Sequence, residues 1–104
     1  MASAVYQIVR EAILNKRQIV GRYHDFQREM CPHAIGRGKD GQEMALFFQF
    51  AGGSKSGLPP EGEWRCIDLR ELTNVTAREG QWHTAHSHKK PQTCVKQIDV
   101  EVPY

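Results

Sequence analysis

Residues 43–50, "EMALFFQF", constrain this chain more than any other stretch. They form the most apolar run in the 104 residues, and glycines stand on either side at Gly41 and Gly52. Eight residues is short for a helix and ordinary for a strand. Aromatic side chains favour a pleated surface, so the run predicts a central strand. Phe47, Phe48 and Phe50 fall on both faces of that strand. At least one phenylalanine therefore lies outside a single-sided core, and an exposed ring there would mark a homodimer or a protein-partner surface.

The rest of the chain supplies one helix and further strands. Ser3 suits an N-cap, and Val5, Ile8, Val9, Ala12 and Ile13 recur at the spacing of one helical face. The spacing predicts a helix over about residues 4–16 that packs its stripe onto a sheet, with Lys16 and Arg17 at its negative end. "QIVGRY" reads as a strand, "HDFQ" as a turn around Asp25, and Arg28 to Cys31 as the returning strand. Pro32 cannot donate to a ladder and marks a strand end or an edge. "GRGKDGQ" is a turn, and "AGGSKSGLPPEGE" a long hairpin loop. In "WRCIDLREL", Trp64 and Cys66 face one way, with Arg65, Ile67 and Leu69 opposite. Leu72 and Val75 continue the apolar signal past a short turn. "TCVKQIDVEVPY" alternates as a last strand, with Lys96 on its apolar side.

The expected fold is mainly β with one N-terminal helix, a small SH3-like β-barrel of about five strands. It forms one domain over residues 1–104, with barrel strands at about 18–76 and 93–102. One core fits this length and a second does not. Hydrophobic residues make up 39% and charged residues 25%, which excludes a disordered chain. Net charge is +2, too small alone to imply nucleic acid. The excess is concentrated: residues 1–39 carry seven Lys/Arg against three acids. Three cysteines without a CxxC pair suit a reducing cytoplasm better than a secreted disulfide scaffold. "MASAVYQIVREAILNKR" is interrupted by Arg10 and Glu11, and reads as neither a signal peptide nor a membrane span.

The order helix, "KRQIVGRY", "REMCPHAIG", apolar strand, glycine-rich loop, "WRCIDLREL" resembles the WYL domain, a bacterial module with an SH3-like (Sm-like) barrel. Tyr23, Arg28, Pro32, Gly36 and "WRCIDLREL" occupy places that match the family's short motifs, and the match covers about residues 5–75. The namesake tripeptide is Met44-Ala45-Leu46 here, so only its leucine is kept. No helix-turn-helix segment precedes the barrel, so the expectation is a stand-alone module. The resemblance implies a regulatory module that senses a ligand, often a nucleotide or nucleic acid, through arginines on one face.

Four sets of residues are candidates for chemistry. Cys31-Pro32-His33 lacks a complete catalytic signature and reads as architecture: Cys31 as a small core residue, Pro32 as a strand end. His83, His86 and His88, with Cys94 nearby, are candidates for zinc, but their spacing differs from the usual ligand pairs and Lys89 and Lys90 follow directly. The basic and aromatic set is the leading one. Arg22, Arg28 and Arg37, with Lys39, lie on or beside the first hairpin; Arg65 lies on the fourth strand; and Tyr23, Phe26, Trp64 and Trp82 are near in sequence. Arginine grips phosphate through paired hydrogen bonds, and aromatics stack bases. If Trp64 and Cys66 face inward, Arg65 lies outside the barrel and is free to bind. The fourth candidate is the phenylalanine strand as a protein interface.

No P-loop, dinucleotide fingerprint, HExxH or GxSxG is present. The expectation is a non-enzymatic module without a cofactor. It binds an anionic ligand, nucleotide or single-stranded nucleic acid, through Arg22, Arg28, Arg37, Arg65, Tyr23 and Phe26. The alternatives are a protein-interaction module or homodimer and, less favoured, a zinc-binding protein.

Overall fold

In this computed structural model, residues 3–53, 62–82 and 95–102 are described. Among the described residues one helix, α1 (Ala4–Asn15), precedes six strands: β1 (Gln18–Tyr23), β2 (Phe26–Arg37), β3 (Glu43–Gly52), β4 (Glu63–Asp68), β5 (Leu72–Arg78) and β6 (Gln97–Glu101). All strand pairs are antiparallel. The order is β4-β3-β2-β1-β5, and β6 pairs with β2 off this path. A 3-10 turn, Leu69–Glu71, carries β4 directly into β5, so the two ends of the sheet are joined through the chain. This is the mainly β, small barrel-like fold with an N-terminal helix that the sequence predicts, with six described strands where about five were expected.

The helix begins where Ser3 Oγ accepts the Tyr6 amide, and it ends at Lys16, whose φ of 51° is left-handed. Its buried face is Tyr6, Val9, Ala12 and Ile13, with Val5 and Ile8 only partly covered. The stripe is thus turned towards Tyr6 from the face that the spacing marks. It packs on Ile19, Met30, Ile35, Ala45, Phe47, Ile67, Leu69 and Leu72, which form the core between helix and sheet. Each such apolar side chain contributes about 2 kcal/mol on burial.

Bulges curl the sheet. Between Val20↔Thr76 and Arg22↔Thr73, β5 carries an extra residue, and Asn74 there has a φ of 52°. A second bulge falls at Pro32, which is not a strand end but is locally an edge, as the sequence allowed. β2 runs on through Pro32 to Arg37, because Pro32 pairs with Phe47 and Ala34 with Leu46, leaving His33 extra. At the same place β2 gives up β1, last paired at Met30, and takes up β6, from Ala34 onwards. A proline is tolerated at such a bulge because the regular ladder is already broken.

The last strand also departs from expectation. Its alternation does not bury one face: Val95 and Val102 are covered at its ends, Val100 is half-buried, and Ile98 is 47% exposed. A bulge between Ile35 and Gly36 shifts the pairing from Val100 to Ile98. No helix among the described residues is long and apolar enough to cross a membrane.

Candidate anion-binding site

Directly opposed residues on neighbouring strands share a face, and so do alternate residues along one strand. The core-facing rows are therefore Ala45, Phe47 and Gln49 on β3, and Ile67 and Arg65 on β4, with Phe47 opposite Arg65. On β2 the row runs through Met30 and Arg28 to Phe26, with Gly21 opposite Arg28 and Tyr23 opposite Phe26. At one end of the core face the apolar residues give way to Arg28, Gln49 and Arg65, with Tyr23 and Phe26 beside them. The expected alternation of β4 holds, and the side it left open is now assigned: Arg65 lies with Phe47 and Ile67 on the core side, so the condition for an Arg65 outside the barrel is not met, and Trp64 is on the opposite side.

The contacts are specific. Gln49 Oε1 accepts from Arg28 Nη1 and from Arg65 Nε, each at 3.2 Å. Arg28 Nε donates to the Tyr23 carbonyl at 3.2 Å. The Arg28 guanidinium lies 4.9 Å from the centroid of the Tyr23 ring and 6.0 Å from that of Phe26. Those distances suit cation–π attraction. Phe26 remains 36% exposed at the rim. The β1–β2 turn that sets these rings has two left-handed residues, His24 at φ 48° and Asp25 at φ 67°. His24 stacks on Tyr23 at 3.9 Å and meets Glu71 at 3.2 Å, which ties the turn to the 3-10 segment.

Arg28 is only 3% exposed, and among the described residues no carboxylate lies within salt-bridge distance of it. Burial, and then the nearby charge of Arg65, hold its guanidinium below the ordinary arginine value. Arginine still remains protonated. Burial pushes the Tyr23 hydroxyl up, with Glu71 adding to it. A buried cation whose described partners are neutral is costly. An anion brought to it recovers part of that cost.

Four of the six sequence candidates meet here: Arg28, Arg65, Tyr23 and Phe26. The other two do not. Arg22 is exposed on the opposite face of β1 from Gly21 and Tyr23. Arg37 lies at the far end of β2 and donates to the Gly41 carbonyl at 3.1 Å, with Lys39 exposed beyond it. Gln49 was not among the candidates. Its signal was a polar residue on the apolar row Ala45-Phe47-Gln49, in the most hydrophobic run of the chain.

The remaining candidates have different settings. Cys31 and His33 are buried, and His33 Nδ1 lies 2.9 Å from the Cys31 carbonyl oxygen. The His33 ring contacts Trp64 at 4.8 Å and Trp82 at 4.9 Å, and Phe48 meets Trp64 at 5.2 Å. This second cluster covers the sheet's other face. Phe47 and Phe48 are therefore both buried, on opposite sides, and Phe50 is partly covered. The exposed phenylalanine that would mark an interface is not found at 47, 48 or 50. Cys66 is disulfide-bonded, contrary to the expectation of reduced thiols, whereas Cys31 is a buried thiol outside any disulfide. His83, His86, His88 and Cys94 lie outside the described residues; within them no cluster of His, Cys, Asp or Glu has the makings of a metal site.

No family model, curated protein or solved structure matches the chain. The likeness to the WYL domain therefore rests on the short motifs alone.

Proposed function

We propose that this protein is a non-enzymatic, WYL-like module that binds an anionic ligand, a nucleotide or single-stranded nucleic acid, at Arg28 and Arg65. One observation carries this reading: Arg28, buried against Tyr23 and Phe26, has neutral partners and no described carboxylate. The half-exposed Phe26 ring beside it offers a face on which a base can stack. A regulatory role and a cytoplasmic setting belong to the same proposal, and the Cys66 disulfide weighs against that setting.

The test is an amide-resolved NMR titration with a short mixed-sequence single-stranded oligonucleotide at low and moderate salt. Shifts should centre on Tyr23, Phe26, Arg28, Gln49 and Arg65 and weaken as salt rises. Arg28→Ala with Arg65→Ala should lower affinity about tenfold or more. Shifts scattered over the surface lysines, or affinity unchanged in the double variant, would remove the site assignment.

A further inference from the structure

Gln49 is wholly buried on the core face of β3, and every hydrogen-bonding position of its carboxamide is used. The oxygen accepts from Arg28 Nη1 and Arg65 Nε, each at 3.2 Å. The nitrogen donates to the Ala51 carbonyl at 3.1 Å and to the Gly53 carbonyl at 3.0 Å. A carboxamide offers two protons and two lone pairs, so the group is saturated. Its orientation is forced as well. The two carbonyls accept only a donor, and the two guanidinium groups accept only an acceptor, so the flipped amide would face four mismatches.

Few side chains meet both demands. A methionine of similar length would leave two carbonyls and two guanidinium groups without this partner, and unmet buried groups are costly. A glutamate would satisfy the arginines but set a carboxylate oxygen against two carbonyl oxygens. It would also place a permanent negative charge against Arg28, whose charge an incoming anion would otherwise balance.

We infer that Gln49 is the positioning residue of the anion site: its single neutral oxygen aligns Arg28 and Arg65 while leaving the Arg28 charge for the ligand. The inference rests on the anion-binding proposal for its purpose, but the alignment itself can be measured without any ligand.

The experiment compares wild type with Gln49→Met and Gln49→Glu, each labelled with nitrogen-15. The first readout is the side-chain Nε–Hε signals of Arg28 and Arg65, which hydrogen bonding and burial protect from exchange. The second is a titration with inorganic pyrophosphate. In Gln49→Met both arginine signals should broaden or vanish and pyrophosphate affinity should fall tenfold or more, with the strand amides unchanged. In Gln49→Glu the arginine signals should persist while the pyrophosphate response is lost. A role in packing alone would leave Gln49→Met like wild type in both readouts, and that result overturns the inference. Wild-type affinity in Gln49→Glu overturns the part assigned to the neutral oxygen. If Gln49→Met fails to fold, the pyrophosphate response of Gln49→Glu decides. If wild type itself ignores pyrophosphate, the anion-binding proposal falls, and the arginine signals in Gln49→Met still decide whether Gln49 aligns them.

Discussion

Tyr6 shows how a single residue couples distant parts of the chain. Its hydroxyl donates to Asp99 Oδ2 at 2.7 Å, joining α1 to β6, and Arg10 Nε meets the same oxygen at 3.0 Å. Burial first, then the Asp99 hydrogen bond, pushes the Tyr6 pKa from 10.0 to about 12. The folded value lies above the unfolded one, so this contribution is complete below pH 10 and is lost as pH rises towards 12. Asp99 is shifted the opposite way, by the Tyr6 hydrogen bond first and then by Arg10. Its contribution is present above the unfolded carboxylate value and is lost as pH falls through the lower folded one. Tyr6→Phe should cost about 1 kcal/mol at neutral pH and flatten the alkaline limb of stability, read by urea unfolding at a series of pH values. An unchanged alkaline limb would show that another group titrates there. The same residue marks a limit of pattern reading: a tyrosine on a helix looks amphipathic, and only the arrival of β6 shows where its hydroxyl goes.

At the scale of elements, β2 is the member on which the others depend. It pairs with β3 along most of its length, with β1 at one end and with β6 at the other. The approach of β6 needs Gly36: a Cβ there would lie 1.9 Å from the Gln97 carbonyl oxygen and 2.8 Å from Val95 Cγ1. Neither atom is at the end of a long flexible chain, so the strand itself must move. Gly36→Ala should cost about 2 kcal/mol and expose the amides of β6 to hydrogen exchange, leaving β1 to β5 protected. Full protection of β6 in that variant would show that the two strands accommodate the methyl. The strands β1, β3 and β4 were legible because period and turn residues agree there. The extent of β2 was not, because proline reads locally as a stop, whereas the change of partner strand that admits it is a long-range event. β6 misled for a related reason: its alternation is real, but a bulge and its position off the main path leave Ile98 in solvent.

Across the whole molecule, class and topology followed from the order of patterns, since a helix and a set of strands this small have few ways to bury one core. The site was legible in part. Residue type pointed to Arg28, Arg65, Tyr23 and Phe26, but the inward side of β4 could not be read from alternation alone. Trp64 and Ile67 both suit a core, and both are used, because the sheet is covered on two faces. Compartment is a further question at this scale. If the cytoplasmic proposal holds, Cys66 should be modified by a membrane-permeant alkylating agent in intact cells, as read by mass spectrometry. Resistance until a reductant is added would exclude a cytoplasmic setting and leave the arginine site untouched. The second aromatic cluster has a practical corollary for optical work. The chain's two tryptophans, Trp64 and Trp82, both sit against His33, and neither ring is among the contacts of the Arg28 guanidinium, which lies over Tyr23 and Phe26. Intrinsic fluorescence should therefore follow loss of the fold faithfully and stay nearly blind to a molecule docking at the arginines.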